Sequence, residues 1–395
     1  MGNEGIGTKT PEYSLHVDGY IYTSSTAYTS STKTKWTTVS DRRIKENIVK
    51  ASYEKCLENV RNIELYRFNF NNNIVNTNDK NQLGFIAQEV QSVYPKAVER
   101  NKIIDKDGNI PDLLTLNTTQ LSEDGTLKTR FETFDHHMIE GVLIPTSERK
   151  TACVSSQIGC SLSCKFCATG YMERKRNLSY DEIYDQVVMI NQQSEKHHEK
   201  SLSNIVFMGM GEPLLNYKNV LKAVERISAK DGLGMSQRRI TVSTAGVAKG
   251  IRQLGDDQVR FKLALSLHAA NDKKRNEIMP INESNNIEAL IQSLNYFYKK
   301  TGSEITFEYI LFKDFNDSER DVVELTKIYR QVPADLINVI EYNPIDKFPF
   351  DKPNEDGFET FVTALQKNRV NVRVRRSRGK DIDAACGQLA NKDNF

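Results

Sequence analysis

The sequence predicts an α/β fold in which six parallel strands form an open, partial barrel, and three features support that prediction. From residue 122 onward, short apolar and β-branched runs alternate with segments of helical period. Six such alternations indicate parallel strands joined by crossover helices. The run Ser179-Tyr-Asp-Glu182 has the capping-box pattern that marks the start of a helix. Because the chemistry of such folds sits at the carboxyl ends of strands, functional residues are expected there.

Each predicted element rests on its own run of residues. Runs rich in Val, Ile, Leu, Phe and Thr predict strands over 151–155, 204–208, 239–243, 261–267, 304–312 and 336–342. Helical spacing of apolar residues predicts helices near 180–195, 216–229, 246–254, 285–300 and 317–331. A last strand at 370–374 is expected to extend the edge of the sheet. The strand count is below the eight of a closed barrel, so the sheet should stay open.

The composition sets the class of protein. A chain of 395 residues, 38% of them hydrophobic, has room for two or three domains with buried cores. The formal net charge of +2 neither demands nor excludes a nucleic-acid partner. No apolar run approaches the roughly 18 residues that span a bilayer, and the N-terminus lacks a signal-peptide pattern. We therefore expect a cytoplasmic protein without a membrane partner.

Three of the six cysteines form a C-x3-C-x2-C pattern at Cys160, Cys164 and Cys167. This spacing suits a metal better than a disulfide framework, and it fits a reducing compartment. Three thiolates on one loop can hold three irons of a cubane cluster and leave the fourth iron open to the amino and carboxylate groups of S-adenosylmethionine (SAM). A zinc site with Cys153 or a histidine as fourth ligand is the alternative. The position of the loop between a strand and a helix favours the cluster.

Other candidate residues are less specific by themselves. Gly209-Met-Gly-Glu212 follows an apolar strand, where glycines admit a ligand to the backbone and a carboxylate can hold an ammonium group. Such turns are also simple strand exits. A single histidine at a strand end, such as His268, is more often structural than functional. Cys386, in an Ala-Ala-Cys-Gly run, has the sequence of a small buried residue.

The segment from Thr151 to Gly170 resembles the cluster loop of the RlmN family. These radical SAM enzymes methylate carbon 2 of adenine in 23S ribosomal RNA and in transfer RNA. The resemblance runs from about residue 122 to residue 392. It includes Gly209-Met-Gly-Glu-Pro213, Arg239-Ile-Thr-Val-Ser-Thr244, Leu265-Ser-Leu-His268, Met279-Pro-Ile-Asn282, Glu341-Tyr-Asn-Pro344 and Arg378-Gly-Lys-Asp-Ile-Asp-Ala-Ala-Cys-Gly-Gln-Leu389. It implies a radical SAM partial (β/α)6 barrel over residues 122–395.

The resemblance implies a role for each matching residue. A [4Fe–4S] cluster would be held by Cys160, Cys164 and Cys167. SAM would be bound by Gly211, Glu212, Ser243, Ser266, Leu267, His268 and Asn343. Three residues would be catalytic, with Cys386 carrying the methyl group, Cys153 forming a disulfide with Cys386 to release the product, and Glu140 acting as a base. An electron donor such as flavodoxin is implied as a partner.

The chemistry that the resemblance implies explains why a radical is used. One SAM would methylate Cys386 by direct displacement. A second SAM, reduced by the cluster, would yield a 5′-deoxyadenosyl radical that takes hydrogen from the S-methyl group. The carbon radical would then add to carbon 2 of adenine, which is no nucleophile and resists ordinary alkylation. Methylation at carbon 8, as in related resistance enzymes with the same cysteine pattern, is the close alternative.

Three basic segments flank these motifs, namely Glu173-Arg-Lys-Arg176, Gln237-Arg-Arg239 and Arg373–Lys380. Charge runs are usually solvated faces. Because these three lie beside the motif loops, we expect them to form a phosphate-binding rim for RNA. The target adenine must also be unstacked to reach a buried cofactor.

The first 121 residues have a different character. Residues 1–39 resemble the end of a trimeric viral β-fibre, and residues 40–121 resemble the small α+β intramolecular chaperone of endosialidase tailspikes. That resemblance implies a Ser40–Lys45 dyad, self-cleavage between Val39 and Ser40, and a homotrimer through this segment. The alternative for Ser40 is an N-cap before an exposed basic helix. A self-cleaving chaperone with an inactive methyltransferase passenger is the second functional hypothesis.

Overall fold

The computed structural model describes residues 114–391 except residue 231, together with the backbone of four short strands nearer the N-terminus. The chain divides into two units, Met1–Ile110 and Pro111–Phe395. In the first unit, β1 (Glu4–Ile6) pairs in parallel with β2 (Leu15–Val17), and β3 (Leu65–Phe68) pairs antiparallel with β4 (Gln82–Phe85). Ser40, Lys45 and the trimer predicted for this segment lie outside the described residues.

A sheet of ten strands organises the second unit. Its strands are β5 (Leu114–Leu121), β6 (Leu127–Thr133), β7 (Met138–Pro145), β8 (Lys150–Cys153), β11 (Asn204–Phe207), β12 (Ile240–Thr244), β13 (Lys262–Ser266), β14 (Ile305–Leu311), β15 (Leu336–Glu341) and β16 (Val372–Arg375). Their order in the sheet is β16-β15-β14-β13-β12-β11-β8-β7-β6-β5. The short strands β9 (Gln157–Ile158) and β10 (Arg176–Asn177) form a separate antiparallel ribbon.

The parallel half of the sheet confirms the predicted fold class. Strands β8 and β11 to β16 run parallel to one another, and they match the six predicted strands and the added edge strand. The register is regular; for example, β14 and β15 pair from Thr306↔Leu336 to Leu311↔Glu341. Since parallel strands end at the same edge, the residues that follow each strand are brought together.

Helices join the parallel strands. They are α1 (Tyr180–His198), α2 (Tyr217–Ser228), α3 (Ala248–Asp256), α4 (Asp272–Ile278), α5 (Ile287–Thr301), α6 (Glu319–Gln331) and α7 (Glu355–Lys367). The predicted capping box is present, with the Ser179 hydroxyl accepting from the Glu182 N–H. Helix α4 was not predicted because its seven residues are mostly polar, and α7 was missed despite its buried Phe358, Phe361, Val362 and Leu365. None of the described helices has the length and apolarity needed to cross a bilayer.

Strands β5, β6 and β7 form an antiparallel meander that was not predicted. Strand β5 lies before the predicted boundary between residues 121 and 122, and it pairs with β6 from Leu114↔Thr133 to Leu121↔Leu127. Its residues alternate only weakly between polar and apolar, which explains why the pattern did not reveal a strand. Residues 114–121 therefore belong to the sheet, and the compact unit begins earlier than the sequence suggested.

Two groups of buried side chains form the core. The larger group packs the helices against the sheet, with strand residues such as Ile205 and Phe307 against helix residues such as Val187 and Leu294. The smaller, mostly aromatic group includes Phe166, Phe312, Tyr342 and Phe348. Phe166 lies between two of the clustered cysteines, so this second core supports the cysteine loop from below.

A fully buried arginine fastens the ends of two neighbouring strands. The Arg275 guanidinium donates to the carbonyl oxygens of Ala245 at 2.6 Å, Ser266 at 3.1 Å and Leu267 at 3.1 Å, and to Asn282 Oδ1 at 2.7 Å. Burial lowers the pKa of Arg275 to about 10, which leaves it charged at neutral pH. Leu267 and Asn282 are buried, Ala245 and Ser266 are half-buried, and all four acceptors would lose this donor if it were removed.

We expect Arg275→Met to lower the free energy of unfolding by about 3 kcal/mol, because each orphaned acceptor costs roughly 1–3 kcal/mol and local rearrangement recovers part of that. Urea titration followed by circular dichroism, at equal iron content, measures the change. Arg320→Met is the matched control, since Arg320 is exposed and makes a surface ion pair with Glu324 worth under about 1 kcal/mol. Equal effects of the two substitutions would contradict this account.

Candidate active site

A cavity opens at the carboxyl ends of the parallel strands. Ten of the predicted site residues line it: Cys153, Cys160, Cys164, Cys167, Gly211, Glu212, Ser243, Ser266, His268 and Cys386. Of the predicted residues that the structure describes, Glu140, Leu267 and Asn343 are not part of this lining. The fold therefore gathers side chains from six separate stretches of sequence around one space.

The three clustered cysteines lie on a tight loop that begins after β9. The loop is tied down by the Lys165 N–H, which donates to the Ile278 carbonyl at 3.0 Å, and by the Gly170 N–H, which donates to the Cys167 carbonyl at 2.9 Å. A Cβ at Gly170 would lie 2.5 Å from the Cys164 carbonyl oxygen, so only glycine fits there. The backbone thus holds three thiols at one wall of the cavity.

The donor set fits a cluster better than a single ion. Burial raises the pKa of the Cys160 thiol to about 11 and raises the pKa of Cys164 further, with added repulsion from the neighbouring sulfurs. Among the described residues, no three Cys, His, Asp or Glu side chains are arranged to hold one metal ion. A cubane needs no such convergence, because each thiolate binds a different iron.

The turn after β11 places a buried carboxylate in the cavity. Gly211 has a φ of 93°, and a Cβ there would lie 2.5 Å from Gln157 Cβ, so the turn requires glycine. The carboxylate of Glu212 accepts from the Leu214 N–H at 3.0 Å and from the Ala245 N–H at 2.7 Å. Burial raises the pKa of Glu212. A buried carboxylate favours a cationic partner, and the ammonium group of an amino-acid ligand supplies one.

The ends of β12 and β13 add small polar groups. Ser243 Oγ and Ser266 Oγ lie 3.3 Å apart and face the cavity. His268 follows in the left-handed region with a φ of 55°, and its Nδ1 accepts from the Ile310 N–H at 3.1 Å. Burial lowers the pKa of His268 to about 3, so the ring is neutral. The Leu267 N–H and carbonyl are both used within the protein, by Glu308 and Arg275.

The loop that carries Cys386 rests on the cysteine loop. The Ala168 N–H donates to the Gly387 carbonyl at 2.7 Å, and the Thr169 hydroxyl donates to the Leu389 carbonyl at 2.6 Å. Asn343 Nδ2 lies 3.4 Å from the Cys386 carbonyl oxygen. Cys386 is exposed toward the cavity, whereas Cys153 is buried at the end of β8. Burial raises the pKa of Cys153 to about 12, and the desolvating walls of the cavity raise the pKa of the Cys386 thiol.

Glu140 lies on β7 and holds the chain that follows the Cys386 loop. Its Oε2 accepts from the Ala390 N–H at 2.9 Å and from the Asn391 N–H at 3.2 Å, and Lys128 Nζ lies 3.8 Å from its Oε1. The side chain is 1% exposed. In this conformation the carboxylate positions the tail segment and does not line the cavity.

The predicted basic rim is partly neutralised. Arg176 is held by Asp135 and Glu182, each at 2.7 Å, and Lys380 pairs with Glu341 at 2.6 Å. Arg238 and Arg373 are exposed. Acidic partners, two of them about forty residues away in sequence, therefore neutralise part of the positive charge that the sequence pattern displays.

Two charged residues of the cavity were not singled out from the sequence. Glu308 is the only acidic residue in the apolar strand β14, and this interruption was a usable signal. Arg375 was assigned to the basic rim, yet it ends β16 and lines the cavity. The register of a strand decides whether a charged side chain on it faces the cavity or the solvent, and the register is known only once the sheet is known.

Comparison with protein families identifies two segments. Residues 154–326 match the radical SAM superfamily, and residues 40–99 match the family described as chaperone of endosialidase. The second match begins at the residue predicted to be the nucleophile of self-cleavage. These matches confirm the radical SAM resemblance and, over residues 40–99, the resemblance to the intramolecular chaperone.

Comparison with individual proteins covers most of the second unit. A probable dual-specificity RNA methyltransferase RlmN from Cytophaga hutchinsonii is 56% identical over 280 residues, which is 71% of this chain and 76% of the relative. The corresponding protein from Christiangramia forsetii is 52% identical over 73% of this chain and 81% of its own. The crystal structure of a radical SAM methyltransferase from Sphaerobacter thermophilus matches with a TM-score of 0.68 and 40% identity, over 70% of this chain and 81% of that one. The chain belongs to the RlmN family.

Proposed function

We propose that this protein methylates carbon 2 of an adenosine in RNA, with 23S ribosomal RNA and transfer RNA as substrates. One observation carries the proposal: Cys153 and Cys386, far apart in sequence, line the same cavity as the three clustered cysteines. A metal-binding loop alone needs neither of them. The names of the relatives as dual-specificity RNA methyltransferases support the RNA substrate. The resemblance to the RlmN family favours carbon 2 over carbon 8.

The cavity residues divide the binding of the cofactors. Cys160, Cys164 and Cys167 would hold the [4Fe–4S] cluster. The carboxylate of Glu212 would take the amino group of SAM, and the turn at Gly211 gives that ligand access to the backbone. Ser243, Ser266, His268, Leu267 and Asn343 complete the proposed SAM contacts. When bound, the cluster and SAM supply reducing electrons and a transferable methyl group.

Three further residues, Cys386, Cys153 and Glu140, would carry out the methyl transfer and the release of the product. Cys386 is the exposed thiol, so it is suited to receive a methyl group and to present it to the base. Cys153, buried beside it, is suited to displace the product by forming a disulfide. Glu140 would act as a base, and its bonds to Ala390 and Asn391 place it next to the segment that follows Cys386. A disulfide formed in each cycle requires re-reduction, which supports a cytoplasmic location and an external electron donor of the flavodoxin type.

We expect anaerobically reconstituted protein to bind about four irons per chain and to cleave SAM to 5′-deoxyadenosine. Cys164→Ala should lose both properties, because one thiolate of the loop is gone. Iron analysis and chromatography of the products measure them. Cys56→Ala is the matched control, because Cys56 is the one cysteine outside the proposed site. One zinc ion per chain in place of iron would sink the cluster assignment.

The two remaining cysteines should fail in different ways. With 23S RNA as substrate, Cys386→Ala is expected to form no 2-methyladenosine, because the methyl carrier is absent. Cys153→Ala is expected to leave RNA covalently joined to the protein, because the bond to Cys386 is not resolved. Mass spectrometry of digested RNA and denaturing gels with nuclease treatment detect these outcomes. Methylation by Cys386→Ala would contradict the mechanism, and 8-methyladenosine would favour the carbon 8 alternative.

The first unit supports a second candidate function. The match of residues 40–99 to the chaperone of endosialidase family supports self-cleavage before Ser40, with Lys45 as the activating base, and a fibre-like trimer. This activity is compatible with the first, since it involves a different segment of the chain.

We expect purified protein to lose its first 39 residues, giving a smaller band on a denaturing gel and Ser40 as the new N-terminus. Ser40→Ala should stay intact, because the nucleophile is removed. Ser30→Ala is a matched control that should cleave normally. Cleavage of Ser40→Ala at the same bond would show that a contaminating protease is responsible.

A further inference from the structure

An ion pair lies inside the cavity and has no part in the function proposed above. Arg375 Nη1 is 3.3 Å from Glu308 Oε2 and 3.5 Å from Met208 Sδ. Arg375 ends the edge strand β16, whereas Met208 follows β11, five positions away in the sheet. One side chain can bridge these strands only because the sheet curves into a partial barrel. Arg375 therefore crosses the open mouth of the barrel.

Glu308 is held in a single orientation. Its Oε1 accepts from Asn338 Nδ2 at 2.7 Å and from the Thr306 hydroxyl at 3.1 Å, which leaves Oε2 for Arg375. The Glu308 side chain is 4% exposed and that of Arg375 is 32% exposed. The carboxylate thus anchors the guanidinium, which lines the cavity.

The two reactive thiols line the same cavity as this guanidinium. Cys153 and Cys386 line the cavity together with Arg375, and Met208, which Arg375 contacts, follows the strand β11 that pairs with β8 at Cys153. The positive charge of Arg375 lowers the pKa of both thiols against the larger effect of burial. Cys167 and Glu308 act on Cys386 in the opposite direction. Among the described residues of the lining, Arg375 carries the only permanent positive charge, because His268 is neutral.

We propose that Arg375 is the counter-ion of Cys153 and Cys386, stabilising negative charge on whichever sulfur has released its proton to solvent, and that Glu308 is a positioning residue that holds the guanidinium in place. An arginine suits this task because it stays charged throughout. The inference rests on the proposed function only in giving the two thiols a reaction to perform.

The next residue provides a matched control. Arg376 carries the same charge, but it pairs with Glu355 and lies over the Phe358 ring, away from the cavity. Replacing Arg376 removes the same charge from the same stretch of chain without changing the environment of the two thiols.

The test measures thiolate formation directly, without SAM or RNA. The full-length protein with reconstituted iron is alkylated with iodoacetamide over a range of pH, and the peptides with Cys153 and Cys386 are quantified separately by mass spectrometry. Only the thiolate reacts. We expect Arg375→Met to slow alkylation of Cys386 at pH 8 roughly tenfold, the effect of one pKa unit, while the plateau rate at high pH is unchanged. Arg375→Lys should recover part of the loss, and Arg376→Met should match the wild type.

Each other result would overturn the proposal. A change in the plateau alone would mean that Arg375 controls access and not charge. Equal slowing by Arg376→Met, or no slowing by Arg375→Met, would mean that the local ion pair does not act on the thiols. If Arg375→Met does not fold, Arg375→Gln carries the same expectation. Because SAM and RNA are absent, failure of the proposed methylation leaves this measurement intact.

Discussion

The contact between two distant loops is the constraint on which the site depends. Ala168 and Thr169 come just after the last clustered cysteine. The Ala168 N–H donates to the Gly387 carbonyl and the Thr169 hydroxyl donates to the Leu389 carbonyl, both in the segment that follows Cys386. Two short hydrogen bonds thus join the loop of the three clustered cysteines to the loop that carries Cys386. They fix the position of the segment after Cys386 relative to the loop of the three clustered cysteines.

The parallel sheet makes that contact possible. All seven parallel strands deliver their carboxyl ends to one edge, and Arg275 fastens the turns after β12 and β13 from beneath. The small polar side chains at those turns therefore lie close enough to the cavity to contact a ligand directly. The antiparallel meander contributes differently, because β7 carries Glu140, which secures the chain beyond Cys386.

Much of the fold followed from sequence because apolar runs and helical spacing alternate clearly between residues 151 and 342. The candidate site followed from the family resemblance and not from periodicity. Neither the periodicity nor the family resemblance predicted which charged side chains are buried. Arg275 and Glu308 sit in segments whose polarity suggests exposure or interruption, and their burial depends on acceptors from other strands. Arg176 and Lys380 show the converse. Their local sequence predicts an exposed positive charge, but acidic residues remote in sequence pair with both side chains.

The bonds of Glu140 to the backbone of Ala390 and Asn391 have a mechanical consequence. Both end on the same oxygen of one side chain. Any movement of that side chain away from the tail therefore releases both bonds together, so Ala390 and Asn391 are held or freed as a pair.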